Sequence, residues 1–122
     1  MKRARTNTPL QALELLNDVA YVEAARALGQ LMMAEGGRSP DERIIYAFRR
    51  ATARTPTRSE FAVLQDGLDR YRAAYRSDPS AAEQLVRHGE SLVDPDIDLI
   101  ELAAYTATAG VILNLDETIS QE

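Results

Sequence analysis

The chain has no cysteine. Disulfides, thiolate metal sites, cysteine nucleophiles and c-type haem attachment are therefore excluded from its 122 residues. It has one histidine, His88, and one lysine, Lys2, so thirteen of its 14 basic residues are arginine. A single imidazole cannot build a histidine-rich metal centre. The arginine excess is consistent with codon usage in a GC-rich genome, although the planar guanidinium also suits carboxylates and phosphates. Acidic residues outnumber basic ones by 19 to 14, a formal charge of -5. That balance argues against a general nucleic-acid binder, which needs a basic face. Residues 1–18 lack the apolar core of a secretory signal. No run alternates apolar and polar residues long enough to suggest a strand.

What is present is helical punctuation. Each of the five prolines, at positions 9, 40, 56, 79 and 95, stands where a helix is expected to begin. Proline suits the first turn, where its missing N–H would have had no intrahelical partner. Three starts spell a capping box: Thr8 with Gln11, Ser39 with Glu42, and Thr57 with Glu60. Apolar residues then recur at spacings of three and four. Leu10, Leu13 and Leu16 outline a short first helix. Val22, Ala25, Leu28 and Met32 mark a second, over about 18–35, ended by Gly36-Gly37. Ile44, Ile45, Phe48 and Ala51 mark a third, and Phe61, Leu64, Leu68, Tyr71 and Tyr75 a fourth. Asp78 to His88 reads as a fifth, and Asp96 to about Ser120 as a long sixth. The expectation is a single all-α domain over 1–122, a compact bundle of five or six helices with short loops.

Between Leu99 and Leu115 the only charged residue is Glu101. Seventeen residues is marginal for a bilayer, and Thr106, Thr108, Gly110 and Asn114 weaken that reading further. A central helix covered on most sides is expected instead, with no membrane insertion.

Candidate chemistry is sparse. His88 lacks a carboxylate at helical spacing, since Glu83 is five residues before it and Glu90 two after; it reads as a helix C-terminus. Asp94, Asp96 and Asp98 imitate the opening of a calcium loop, but the sixth position is Leu99 where glycine is required and the twelfth is Tyr105 where glutamate is required. Asp116 and Glu117 are helical neighbours about 100° apart and make no paired-carboxylate site alone. No cofactor, metal or haem is expected. Arg49, Arg50, Arg54 and Arg58 surround the turn between the third and fourth helices and form a candidate anion site.

The blocks "RTNTPLQALELLND", "VEAARAL", "DERIIYAFRRATARTPTRSE", "HGE" and "LAAYTATAGVILNLDE", in that order, span nearly the whole chain. Together they resemble the C-terminal end of domain-of-unknown-function family 1553, found in large planctomycete-type proteins that often carry a cytochrome-c-like domain as well. The first and last blocks are specific, whereas the middle ones are generic helix. The resemblance implies that the chain is part of a longer, exported protein, and it associates the family with surface or polysaccharide-related biology. It supplies no catalytic residue.

Two functions follow as expectations. The first is a non-catalytic helical module that packs on upstream domains of its parent or on a second copy of the chain. Its docking surface would include Arg3, Arg5, Asn7, Leu10, Leu15, Asn17, Asp18 and Asn114. The first helix is too short to be stable alone in water, and Ala12 and Leu15 give it a second apolar side, so it needs two neighbours. The alternative is one part of a composite enzyme site, contributing Arg5, Asn17, Asp18 or Asn114 to a cleft completed by missing domains.

Overall fold

A computed structural model describes residues 19–87 and 98–120. Within them lie five helices and no strand: α1 (Val19–Glu35), α2 (Pro40–Thr52), α3 (Arg58–Ser77), α4 (Pro79–Arg87) and α5 (Leu99–Ser120). The all-α expectation holds. The helix expected around Leu10, Leu13 and Leu16 lies outside the described residues.

The helix starts follow local cap chemistry. At α2 the Ser39 hydroxyl accepts from the Glu42 N–H at 3.1 Å, and the Glu42 carboxylate accepts from the Ser39 N–H at 3.2 Å. Thr57 and Glu60 repeat this at α3, at 3.1 and 2.8 Å. Asp78 serves two helices. Its N–H donates to the Ala74 carbonyl to close α3, and its carboxylate accepts from the Ala81 N–H to open α4. α5 begins at Leu99, three residues later than expected. Asp98 is its cap, accepting from the N–H groups of Ile100 and Glu101 at 2.9 and 3.3 Å. The three alternating aspartates each offered a cap oxygen, and Pro95 favoured the earlier start; the structure uses the last of them.

α5 touches each of the other four helices and packs most extensively on α1. The two run antiparallel: Tyr21 donates to the Gly110 carbonyl at 2.6 Å, while Gly29 lies against Thr106. All nine residues from Leu102 to Gly110 are buried. A helix apolar all round belongs in the interior, and the small side chains here (four alanines, two threonines and a glycine) let its neighbours come close. Around it pack the interior faces of the others: Val22, Ala25 and Met32 from α1, Ile44 and Phe48 from α2, Leu64, Leu68, Tyr71 and Tyr75 from α3, and Ala82 and Val86 from α4. Burying one such large apolar side chain stabilises the fold by roughly 1.5–3 kcal/mol.

Candidate functional site

Glu101 stands alone as a charge on an apolar helix, so it needs a cation. Arg72 of α3 supplies it through two bonds, Nε to Oε2 at 3.1 Å and an η nitrogen to Oε1 at 2.9 Å. Both side chains are about one-fifth exposed (20% and 23%), which limits solvent screening of the pair. One helical turn on from Glu101 is Tyr105, fully buried, whose hydroxyl accepts from both Arg72 and Arg43 at 3.3 Å. The two guanidinium carbons lie 5.7 and 5.4 Å from the centre of its ring, within cation–π range. Arg43 also donates to the carbonyls of Gly37 and Met33. The cluster thus joins the end of α1, the α1–α2 turn, α2, α3 and α5. Its donors and acceptors are directed at one another, so the four side chains clasp the helices together.

In the arginine turn the four guanidinium groups have different neighbours. Arg54 grips Glu60 with two bonds of 2.9 Å and lies 4.9 Å from the Phe48 ring centre. Glu60 is held down to about 2 by these Arg54 bonds and by the Thr57 N–H. Arg50 leans on Tyr46, with its carbon 5.9 Å from the ring centre and a 3.4 Å bond to the hydroxyl. Arg49 and Arg58 are exposed. Of the four expected side chains, one is therefore bound to the capping glutamate and one to an aromatic ring.

Two shallow, open depressions mark the described surface. One lies on α2, lined by Glu42, Ile45, Tyr46, Arg49, Arg50 and Ala53. The other lies on α4 beside the Glu83–Arg87 ion pair. The second is lined by Ser80, Glu83, Gln84 and Arg87, and its one carboxylate, Glu83, accepts from Arg87 at 3.0 Å. Burial pushes the Tyr71 and Tyr75 phenols up, with help from neighbouring tyrosines, so both stay neutral in the interior. Among the described residues no three His, Asp or Glu side chains come together to hold a metal. No helix of the described residues is long and apolar enough to cross a membrane.

Arg3, Arg5, Asn7, Leu10, Leu15, Asn17, Asp18 and His88 lie outside the described residues; Asn114 is half-buried on α5. Sequence reasoning missed Arg43, Arg72 and Tyr105, and the full burial of Arg26, which is 1% exposed. One signal was available for the clasp: a lone acid in seventeen otherwise uncharged residues requires a cation from elsewhere.

In comparisons with known proteins, the family described as "Protein of unknown function (DUF1553)" matches over residues 1–68. No curated protein and no solved structure matches.

Proposed function

The chain belongs to the DUF1553 family of proteins of unknown function, and on that basis we propose that it is a non-catalytic helical module closing a larger exported protein. The carrying observation is the clasp. The polar cluster of Arg43, Arg72, Glu101 and Tyr105 holds helices together, and none of the four lines either depression. An enzyme site would instead direct polar groups into a concave pocket. In this reading residues 3–16 form the seam with the upstream part of a planctomycete-type parent, with Leu10 and Leu15 as apolar contacts. The experiment is hydrogen exchange on the longer protein carrying Leu15→Glu. Exchange should quicken in residues 3–16 and on the upstream surface they meet, while α2 to α5 keep their protection. Unchanged exchange on the upstream domains would overturn the role.

A further inference from the structure

Arg26 sits midway along α1 and is 1% exposed. A guanidinium at that depth is kept only when a carboxylate or several acceptors meet it. The acids of two neighbouring helices are engaged elsewhere: Glu101 of α5 holds Arg72, and Glu83 of α4 holds Arg87. Packing fixes which flank of α1 carries Arg26. α2 meets α1 only at its last turn, through Met33 and Glu35. Tyr71 of α3 lies near Tyr21, and Arg26, five positions on, points about 140° round the helix from Tyr21. α4 packs on α3 and α5 and has no extensive contact with α1. The Arg26 flank therefore looks into the gap between α1 and α4, where α5 is its one neighbour among the described helices. Arg26 is nonetheless buried, and so is every residue of α5 from Leu102 to Gly110.

We propose that residues 9–17 form a helix that doubles back into this gap and sets the Glu14 carboxylate on Arg26. The segment leads directly into α1 at Val19, and Asn17-Asp18 supplies the two-residue link that suffices for an antiparallel helical hairpin. Leu10, Leu13, Glu14 and Asn17 follow one another at spacings of three, one and three, which places them on one face. That face is apolar with a single acid in it, and the α1 flank is apolar with a single base. The register agrees. A turn centred on Asn17-Asp18 brings Glu14 level with Tyr21, so the α-carbons of Glu14 and Arg26 are offset by five residues, about 7.5 Å along the axis. Helical side chains lean towards the N-terminus of their own helix. In an antiparallel pair Arg26 leans back towards Val22 while Glu14 leans forward to the level of Ala25, and the two close the offset. Asp18 stands eight positions from Arg26, about 12 Å along α1, too far for the same bond. Asp116 and Glu117 continue α5 beyond Gly110, which is already level with Tyr21, and so pass the start of α1.

This deepens the seam reading, on which it rests only for the outward role of Leu15. With Leu10, Leu13 and Glu14 turned inward, Ala12 and Leu15 occupy the opposite side of the same helix. The apolar contact with the upstream part then narrows to Leu15, while Leu10 belongs to the chain's own interior.

The chain has no cysteine, so single cysteines report burial directly. In the isolated 122-residue chain, alkylation of Leu13→Cys by an uncharged maleimide should run at least about tenfold slower than that of Leu15→Cys, with a ratio unchanged on dilution. Added to Leu13→Cys, Glu14→Gln should quicken alkylation about tenfold by stranding Arg26. Glu23→Gln, three positions before Arg26 on α1, should leave it unchanged. Should Leu13→Cys fail to fold, Leu10→Cys on the same face decides. Equal rates at positions 13 and 15 would leave the gap to an upstream domain and overturn the proposal. Protection lost on dilution would assign it to a second copy, with the same consequence. Protection that survives Glu14→Gln would put another acid on Arg26 and overturn the pairing. The seam itself is read from exchange on the upstream surface, so the two readings fail separately.

Discussion

A Cβ built on Gly29 would lie 3.0 Å from both the backbone nitrogen and the hydroxyl oxygen of Thr106. At this point α1 and α5 are separated by little more than a hydrogen atom. Gly29→Ala must push the helices apart, which outweighs the gain in helix propensity of up to about 1 kcal/mol, so a net loss of about 1–2 kcal/mol is expected in urea titration. Gly67 in α3 is the control. A Cβ there meets only the Tyr71 ring, at 3.9 Å, and Gly67→Ala should stabilise by up to about 1 kcal/mol. Equal signs for the two variants would contradict the close approach.

The Thr106 hydroxyl is buried and finds no hydrogen-bond partner among the described residues, unlike Thr108, which donates to the Ala104 carbonyl at 2.9 Å. Replacing it by a methyl of the same shape removes an unmatched polar group. Thr106→Val should raise the unfolding midpoint, by about 1 kcal/mol in stability, whereas Thr108→Val should not.

At the α3 start, Thr57→Ala should cost about 1 kcal/mol through loss of the cap, and the neighbouring surface change Arg58→Ala less than about 0.5 kcal/mol. Glu60 adds a pH dependence. Its carboxyl sits at about 2 in the folded chain against an ordinary 4.5, through its bonds to Arg54 and the Thr57 N–H. A depressed carboxyl contributes stability that is full above its unfolded value and lost as pH falls towards its folded one. The stability curve should therefore steepen downward between pH 4.5 and about 2, and Glu60→Gln should flatten that limb in thermal melts.

Ala53 ends α2 in the left-handed region, with φ 64° and its N–H bonded to the Arg49 carbonyl at 2.8 Å. A Cβ there costs roughly 1–2 kcal/mol relative to glycine, partly offset by glycine's greater freedom when unfolded. Ala53→Gly should stabilise by about 0.5–1 kcal/mol. A lower melting temperature would refute the assignment of this cap.

The clasp makes its own demand. Arg72→Met leaves Glu101 half-desolvated beside Tyr105, and Glu101→Gln leaves Arg72 in the same position. Each should cost about 1–3 kcal/mol, and the double variant less than their sum, because the residues share one network. Strict additivity in a double-mutant cycle would show that the bonds between them contribute nothing.

Much of this architecture is legible from local chemistry. Ser39, Pro40 and Glu42 specify a helix start within four residues, and the stripe from Phe61 to Tyr75 is read by counting threes and fours. The buried state of α5 follows from its composition. What local chemistry does not encode is which cation meets Glu101, because Arg72 lies 29 positions away and comes within reach only once α3 and α5 have packed. The four arginines of the α2–α3 turn look equivalent in sequence, yet Glu60 takes Arg54 and Tyr46 takes Arg50, since a partner's position in three dimensions decides between them.

The helix at the centre of the bundle is also the last of the five to be synthesised. The bond between Tyr21 and Gly110 joins positions 89 residues apart, an interval of roughly 4–18 s at ribosomal rates of about 5–20 residues per second. During that time α1 to α4 are made one after another, before the helix that covers most of their apolar faces exists. How long those faces wait for their cover is set by the speed of translation between α1 and α5, not by the stability of the finished bundle.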